Sequence, residues 1–145
     1  MTKKFKLQSV LNYRQSLEDR AQQLLMTSLQ HRSTLEKALG QQRNALRQHD
    51  AELKRRQQEG LTIAEIDLFE SQIQHCCRMS ADLQQQLQRL ERQIVSEREE
   101  LLSCARDRQV MEKLKEKQDA EYRQELSRKE RAMLDEIGLR NKGDR

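Results

Sequence analysis

The chain has 145 residues, of which 36% are charged, 34% hydrophobic and 3% aromatic, and its net charge is +4. This apolar content is too low for an ordinary globular core. The apolar residues nevertheless recur periodically, which a disordered chain does not show and which is typical of long helices. Basic and acidic residues are finely interleaved, so there is no one-sided basic stripe and we expect no nucleic-acid partner. No apolar run approaches the roughly 20 residues that span a bilayer, and the basic N-terminus lacks a hydrophobic signal core.

The first predicted element is a helix from about residue 5 to residue 58. Its core positions recur every three and then four residues, which is the spacing of a coiled-coil seam. The seam consists of Leu11, Arg14, Glu18, Ala21, Leu25, Ser28, Arg32, Leu35, Leu39, Gln42, Leu46, His49 and Leu53. Several of these positions are polar, so this seam is less apolar than the one that follows.

A turn is predicted at residues 59–62. Gly60 can adopt the left-handed conformation that ends a helix. Thr62 and Glu65 have the T-x-x-E spacing of a capping box, which starts a new helix. Because the connection is short, the two helices should be antiparallel.

The second predicted helix runs from about residue 63 to residue 138, followed by a disordered tail at 139–145. Its seam consists of Ile66, Phe69, Ile73, Cys76, Ser80, Leu83, Leu87, Leu90, Ile94, Glu97, Leu101, Cys104, Arg108 and Met111. Eleven of these fourteen positions are apolar, a high share for so polar a chain. We therefore predict one all-α domain over residues 1–145, an antiparallel coiled-coil hairpin whose second helix is the longer.

The turn also predicts which seam positions face each other. Gln42 should lie opposite Ser80, so that two polar residues share a layer that lowers stability but fixes the alignment. Arg14 should lie opposite Arg108, which is the poorest match. That end of the hairpin is therefore expected to shift register, fray or be held by another protein.

Two groups of apolar residues are not expected to be buried between the two helices. Helix 2 should extend about 20 residues beyond helix 1 on this register, and its overhang carries one apolar stripe. The stripe consists of Tyr122, Leu126, Met133 and Ile137. It suits either self-association or insertion into a partner. Near the turn, Leu61 and Leu68 could form a contact patch with Phe69, Ile73 and Cys77.

The sequence contains no constellation that indicates catalysis. Cys76, Cys77 and Cys104 fit reduced packing residues better than disulfides or metal ligands. His49 falls in the seam, and a two-helix hairpin has no water-excluding pocket in which catalytic groups converge. We expect no enzyme activity, cofactor, metal or small-molecule substrate.

Both ends of the chain resemble one family. Residues 5–14, F-K-L-Q-S-V-L-N-Y-R, resemble the F-x-L-x-x-V-L-x-x-R pattern at the N-terminus of the flagellar FliJ family. Residues 101–105 and 111–117, then Tyr122 and 134–136, resemble that family's C-terminal helix. Length and hairpin design agree, so the resemblance covers essentially the whole chain.

The resemblance implies a component of the flagellar type III protein export apparatus, similar to the coiled-coil central stalk of rotary ATPases. Its implied partners are the export ATPase and its regulator, the export-gate membrane protein and export chaperones. The implied role is to activate the ATPase and to escort chaperones. The implied location is the cytoplasm and, through partners, the cytoplasmic face of the inner membrane.

The resemblance also implies two sets of contact residues. The candidates for entering the ATPase ring are Phe5, Leu7, Val10, Leu11, Arg14, Tyr122, Leu126, Met133 and Ile137. The candidates for contacting the export gate are Leu68, Phe69, Ile73 and Cys77.

Three rival interpretations stay open at this point. The chain could be the equivalent stalk of a virulence-type secretion system, or a generic structural coiled-coil scaffold. A nucleic-acid binder would instead show strongly salt-dependent DNA binding. Co-purification with a flagellar ATPase would favour the export interpretation.

Overall fold

The computed structural model describes residues 7–143, and this part of the chain forms two long α-helices with no strand. Helix α1 spans Gln8–Glu59 and helix α2 spans Ile63–Gly143. The helices pack against each other in antiparallel fashion: Arg56 at the end of α1 pairs with Glu65 at the start of α2, and Ser28 pairs with Glu97. The predicted hairpin with a longer second helix is confirmed.

The turn between the helices follows its sequence signals. Gly60 has a φ of +96° and is the only described residue with a positive φ. The Thr62 hydroxyl oxygen accepts a hydrogen bond from the Glu65 backbone N–H at 3.3 Å, so Thr62 caps α2 as expected. The Glu65 carboxylate accepts a hydrogen bond from Arg56 at 3.5 Å, which ties the cap to the preceding helix.

The C-terminal boundary of α2 differs from the prediction. The helix was expected to end near 138 and to give way to a disordered tail at 139–145, but α2 continues to Gly143. Gly138 does not end it, because Gly138 lacks the positive φ of a left-handed cap. Without a proline, and with Glu136 and Arg140 at i,i+4 spacing, nothing in the sequence stops the helix. Residues 144 and 145 lie outside the described residues, as do 5 and 6 at the predicted start of helix 1.

Backbone contacts divide the hairpin into two units. The described part of the first unit comprises residues 7–21 and 101–143. The second comprises residues 22–100, including the turn. Each unit holds a stretch of α1 against a stretch of α2.

The second unit contains the main apolar cluster. Leu35, Leu90 and Ile94 are buried, and Ile94 is only 2% exposed. The partly buried residues packed on them are Leu25, Leu29, Leu83 and Leu87. Full burial of such side chains contributes about 1.5–3 kcal/mol each, so this cluster is a main source of stability in the unit.

The predicted seam positions are confirmed, but the polar residues of the seam do not all pair as predicted. Every predicted seam residue of both helices is buried or half-buried. Ser80, however, has a buried hydroxyl oxygen with no hydrogen-bond partner, so the expected polar layer with Gln42 makes no hydrogen bond through that oxygen. A hydrogen-bonded layer instead joins Ser28, Gln93 and Glu97.

The predicted mismatch of Arg14 with Arg108 in the first unit is resolved by ion pairs. Arg14 lies 3.4 Å from the Asp107 carboxylate, and Arg108 pairs with Glu18 across the helices and with Glu112 at 2.7 Å. Each arginine therefore reaches a carboxylate of a neighbouring position, because a guanidinium on a long side chain is not confined to the residue directly opposite. Nearby, Leu11, Ala21 and Cys104 are buried.

Candidate partner-binding surfaces

The most exposed apolar surface among the predicted contact residues lies near the end of α2. We call Tyr122, Leu126, Met133 and Ile137 the C-terminal stripe. Leu126 is 41% exposed, Met133 63% and Ile137 50%. Tyr122 is half-buried and makes an interaction of its own. At 3.6 residues per turn, all four residues lie on one face of the helix.

The C-terminal stripe continues the face of α2 that packs against α1. On that face Cys104 is buried, and Arg108, Met111 and Lys115 are half-buried. From Arg123 to Gly143, by contrast, every residue is exposed. The same helical face therefore passes from a covered stretch to an uncovered one, and the uncovered stretch remains apolar.

The surroundings of the C-terminal stripe are apolar and of mixed charge. Leu134 is 67% exposed and Leu139 is 70% exposed, and both lie beside the stripe. Lys129 and Glu130 place opposite charges next to each other between Leu126 and Met133. This arrangement suits an amphipathic protein surface better than a polyanion.

The N-terminal candidates do not form one exposed surface. Leu7 is 43% exposed and Val10 is 37% exposed, whereas Leu11 is only 3% exposed. Arg14 is occupied by its ion pair with Asp107, and Phe5 lies outside the described residues. A partner could contact Leu11 only by displacing the packing that buries it.

The candidates near the turn are also divided between two environments. Leu68 is 61% exposed and Cys77 is exposed, but nine positions separate them, which places them on opposite sides of α2. Phe69 and Ile73 are half-buried in the seam, and the Arg56 guanidinium lies 5.8 Å from the centre of the Phe69 ring. These four residues therefore do not form one continuous patch.

Comparison with protein families covers all of these surfaces. A family described as "Flagellar FliJ protein" matches residues 3–144, which is essentially the whole chain. The chain belongs to the FliJ family. A search of curated proteins gave no match, and neither did a search of solved structures. Membership in the FliJ family makes the chain a flagellar export apparatus protein, and the match includes both the C-terminal stripe and the residues near the turn.

The perturbed ionisable groups of this FliJ-family chain belong to ion pairs. The hydrogen bonds from Arg108 to Glu112 and then to Glu18 raise the pKa of the Arg108 guanidinium. A hydrogen bond from Arg55 lowers the pKa of the Glu52 carboxyl and raises the pKa of Arg55 itself. These pairs join neighbouring turns or the two helices, so their role is structural.

The described residues of this family member contain no group of three or more His, Cys, Asp and Glu side chains that could hold a metal ion. Cys76 and Cys104 are buried, and Cys77 is exposed. Within the described residues, neither helix is long and apolar enough to cross a membrane.

Sequence reasoning missed two polar contacts between seam positions of the two helices in the FliJ-family hairpin. One joins Glu18 to Arg108, and the other joins Ser28 to Glu97. All four residues were predicted seam positions, but the predicted register paired none of them with its observed partner, and it placed Arg108 opposite Arg14. A comparison of the two seams could have revealed these contacts, because in each case a carboxylate on one helix lies near a base or a hydroxyl on the other.

Proposed function

We propose that this FliJ-family chain acts as a central stalk that activates the flagellar export ATPase, with the C-terminal stripe entering the ATPase ring. The observation that supports the proposal is the continuation of an apolar seam onto an uncovered stretch of helix. A single helix cannot bury such a stripe on itself, so the stripe can be buried only against another surface, here that of a partner.

A stalk of this kind needs no catalytic group of its own. It changes ATP hydrolysis by contacting one conformation of an ATPase subunit more favourably than another. A difference of about 1.4 kcal/mol between the two contacts would shift the equilibrium between those conformations tenfold. The exposed side chains of Leu126, Met133 and Ile137 offer enough apolar surface for a difference of that size.

The proposal includes a second contact near the turn. There the chain would meet the export gate and escort export chaperones, which would couple the ATPase to the gate on the cytoplasmic face of the membrane. Leu68 and Cys77 supply exposed surface for this contact, while Phe69 and Ile73 are half-buried in the hairpin. Leu68→Asp should therefore weaken capture of the gate without weakening capture of the ATPase.

A pull-down from native cytosol, with the captured proteins identified, tests the proposal. The stripe variant Leu126→Asp/Met133→Asp/Ile137→Asp should lose the export ATPase. A matched control, Ala120→Asp/Gln124→Asp/Ser127→Asp, adds the same charge to exposed positions on the opposite face of α2 and should keep it.

Three outcomes of the pull-down count against the proposal. Recovery of neither an ATPase nor an export-gate protein would leave a generic coiled-coil scaffold. Recovery of the ATPase of a virulence-type secretion system would assign the stalk to that system. Equal loss of the ATPase in the stripe variant and the control would show that added charge, and not the stripe, governs capture.

A further inference from the structure

A polar layer that includes the buried Ser28 joins the two helices within residues 22–100. The Ser28 hydroxyl belongs to a residue that is 5% exposed, and it donates a hydrogen bond to a carboxylate oxygen of Glu97 at 3.0 Å. The Gln93 side-chain amide donates to the same oxygen at 2.8 Å and to the Ser28 oxygen at 3.5 Å. The other Glu97 carboxylate oxygen is buried and has no hydrogen-bond partner.

The layer is costly where it stands. Glu97 occupies the seam position that follows Ile94 in α2, one helical turn away. Ile94 is 2% exposed and packs in the main apolar cluster with Leu35 and Leu90. Burying one carboxylate oxygen without a hydrogen-bond partner reduces stability. An apolar residue at this seam position would avoid that cost, so stability alone does not account for Glu97.

The layer is satisfied in one alignment and unsatisfied in a slipped one. A slip by one heptad would bring Glu97 opposite Ala21 or Leu35 in place of Ser28, since these residues lie seven positions on either side of Ser28. Neither side chain can donate a hydrogen bond. The Glu97 carboxylate would then lose the Ser28 hydroxyl as a donor, which raises the free energy of the slipped alignment above that of the native one.

The other unit repeats this logic with an ion pair. Arg108 occupies a seam position and pairs with Glu18. A slip by one heptad would bring Arg108 opposite Leu11 or Leu25. The half-buried Arg108 guanidinium would then lose its carboxylate partner across the seam and keep only Glu112 on its own helix, which is again less favourable than the native pairing.

We infer that the Ser28–Gln93–Glu97 layer and the Glu18–Arg108 pair form a register lock, which lowers the stability of the hairpin in exchange for a single alignment of its helices. A polar seam residue that selects one register at a cost in stability is known in coiled coils generally. The inference does not depend on the proposed function, because it concerns the pairing of α1 with α2 and no partner.

Distance measurement between two spin labels tests the inference. Gln23 and Gln85 are exposed, and about four to five turns separate Gln23 from the part of α1 that faces Gln85, so a slip changes the distance between them. Labels carried on genetically encoded ketone side chains leave the three native cysteines untouched. A slip by one heptad moves the helices past each other by about 10 Å along their axes.

The labelled protein with the register lock intact should give one label-to-label distance. The apolar variant Ser28→Ala/Glu97→Leu/Glu18→Leu/Arg108→Leu should melt at a higher temperature and give a second distance. Glu97→Gln keeps a side chain that can accept from Ser28, so it should retain one distance and serves as the control.

The inference is overturned if the apolar variant keeps a single distance, because other features would then fix the alignment. It is equally overturned if the apolar variant loses its helical circular dichroism or melts at a lower temperature, since the layers would then be stabilising. Two distances in the labelled parent protein or in Glu97→Gln would show that the layers do not select one register.

Discussion

The guanidinium of Arg108 pairs with the carboxylate of Glu18 across the two helices, at positions where both seams place a core residue. Both side chains are about one-fifth to one-quarter exposed, 24% for Arg108 and 21% for Glu18. The pair is thus more shielded from solvent than the other ion pair that joins the helices in this unit, Arg14 with Asp107, at 39% and 50%.

Removal of one member of the Glu18–Arg108 pair should destabilise the hairpin. Glu18→Ala should lower the free energy of unfolding by about 1 kcal/mol, since Arg108 retains Glu112 on its own helix. Arg14→Ala, which breaks the more exposed pair, should cost no more than about 0.5 kcal/mol. Urea unfolding followed by circular dichroism measures both, and a larger loss for Arg14→Ala would contradict the assignment.

Gly40 and Gly60 should respond oppositely to replacement by alanine. Gly60→Ala places a Cβ on a residue with a φ of +96° and should destabilise by about 1–2 kcal/mol. Gly40 lies inside α1, and a Cβ added there would meet nothing within 4 Å, so Gly40→Ala should stabilise by about 0.5–1 kcal/mol. Thermal unfolding distinguishes them, and shifts of the same sign would contradict the account of the turn.

The apolar cluster predicts a sharp difference between adjacent residues. Ile94 is 2% exposed, and Ile94→Ala should cost about 2–5 kcal/mol through lost burial and an unfilled cavity. Val95 is the next residue but is 55% exposed, and Val95→Ala should change stability by less than about 0.5 kcal/mol. Similar losses in the two variants would show that the helix is rotated from the alignment described.

The fold could be predicted from the sequence because its periodicity, its turn chemistry and its lack of proline all indicate one hairpin. Seam spacing requires only that apolar residues return to one face every three or four positions, and helical geometry does the rest. Thr62 and Gly60 could be assigned individually, since each has a local role that does not depend on distant residues.

The polar contacts could not be predicted in the same way. The register predicted from the sequence placed Arg14 opposite Arg108, whereas in the structure Arg14 pairs with Asp107 and Arg108 pairs with Glu18. The extent of α2 was also missed, because Gly138 can be either a helix end or a tolerated interior residue, and sequence alone favoured the end. For the partner-binding surfaces, the sequence identified the exposed Leu126, Met133 and Ile137. It named Leu11 both as a seam position and as a contact candidate, and the structure buries it in the seam.

The pair of Glu52 with Arg55 predicts a pH-dependent contribution to stability. The pKa of Glu52 lies below its ordinary value of 4.5, chiefly because Arg55 donates a hydrogen bond to it. A lowered folded-state pKa stabilises the fold above the unfolded-state pKa, and the benefit is lost as the pH falls through the folded-state pKa. Arg55→Ala should therefore be less stable than the parent at pH 7, with the difference fading at acidic pH below 4.5.

An NMR titration of Glu52 checks the same pair independently of unfolding. The Glu52 carboxyl should titrate at a higher pH in Arg55→Ala than in the parent protein. Because both side chains are exposed, the difference should shrink in high salt. An unchanged Glu52 pKa in the variant would remove Arg55 as the cause of the shift.

ATP turnover by the flagellar export ATPase tests the central claim most directly. Measured with the ATPase in a fixed amount, turnover should rise on addition of the chain, while the chain alone hydrolyses no ATP. The control Ala120→Asp/Gln124→Asp/Ser127→Asp should stimulate turnover as the parent does. The stripe variant Leu126→Asp/Met133→Asp/Ile137→Asp, and a chain lacking residues 118–145, should not. Full stimulation by either of these two proteins would contradict the proposal that the C-terminal stripe enters the ATPase ring.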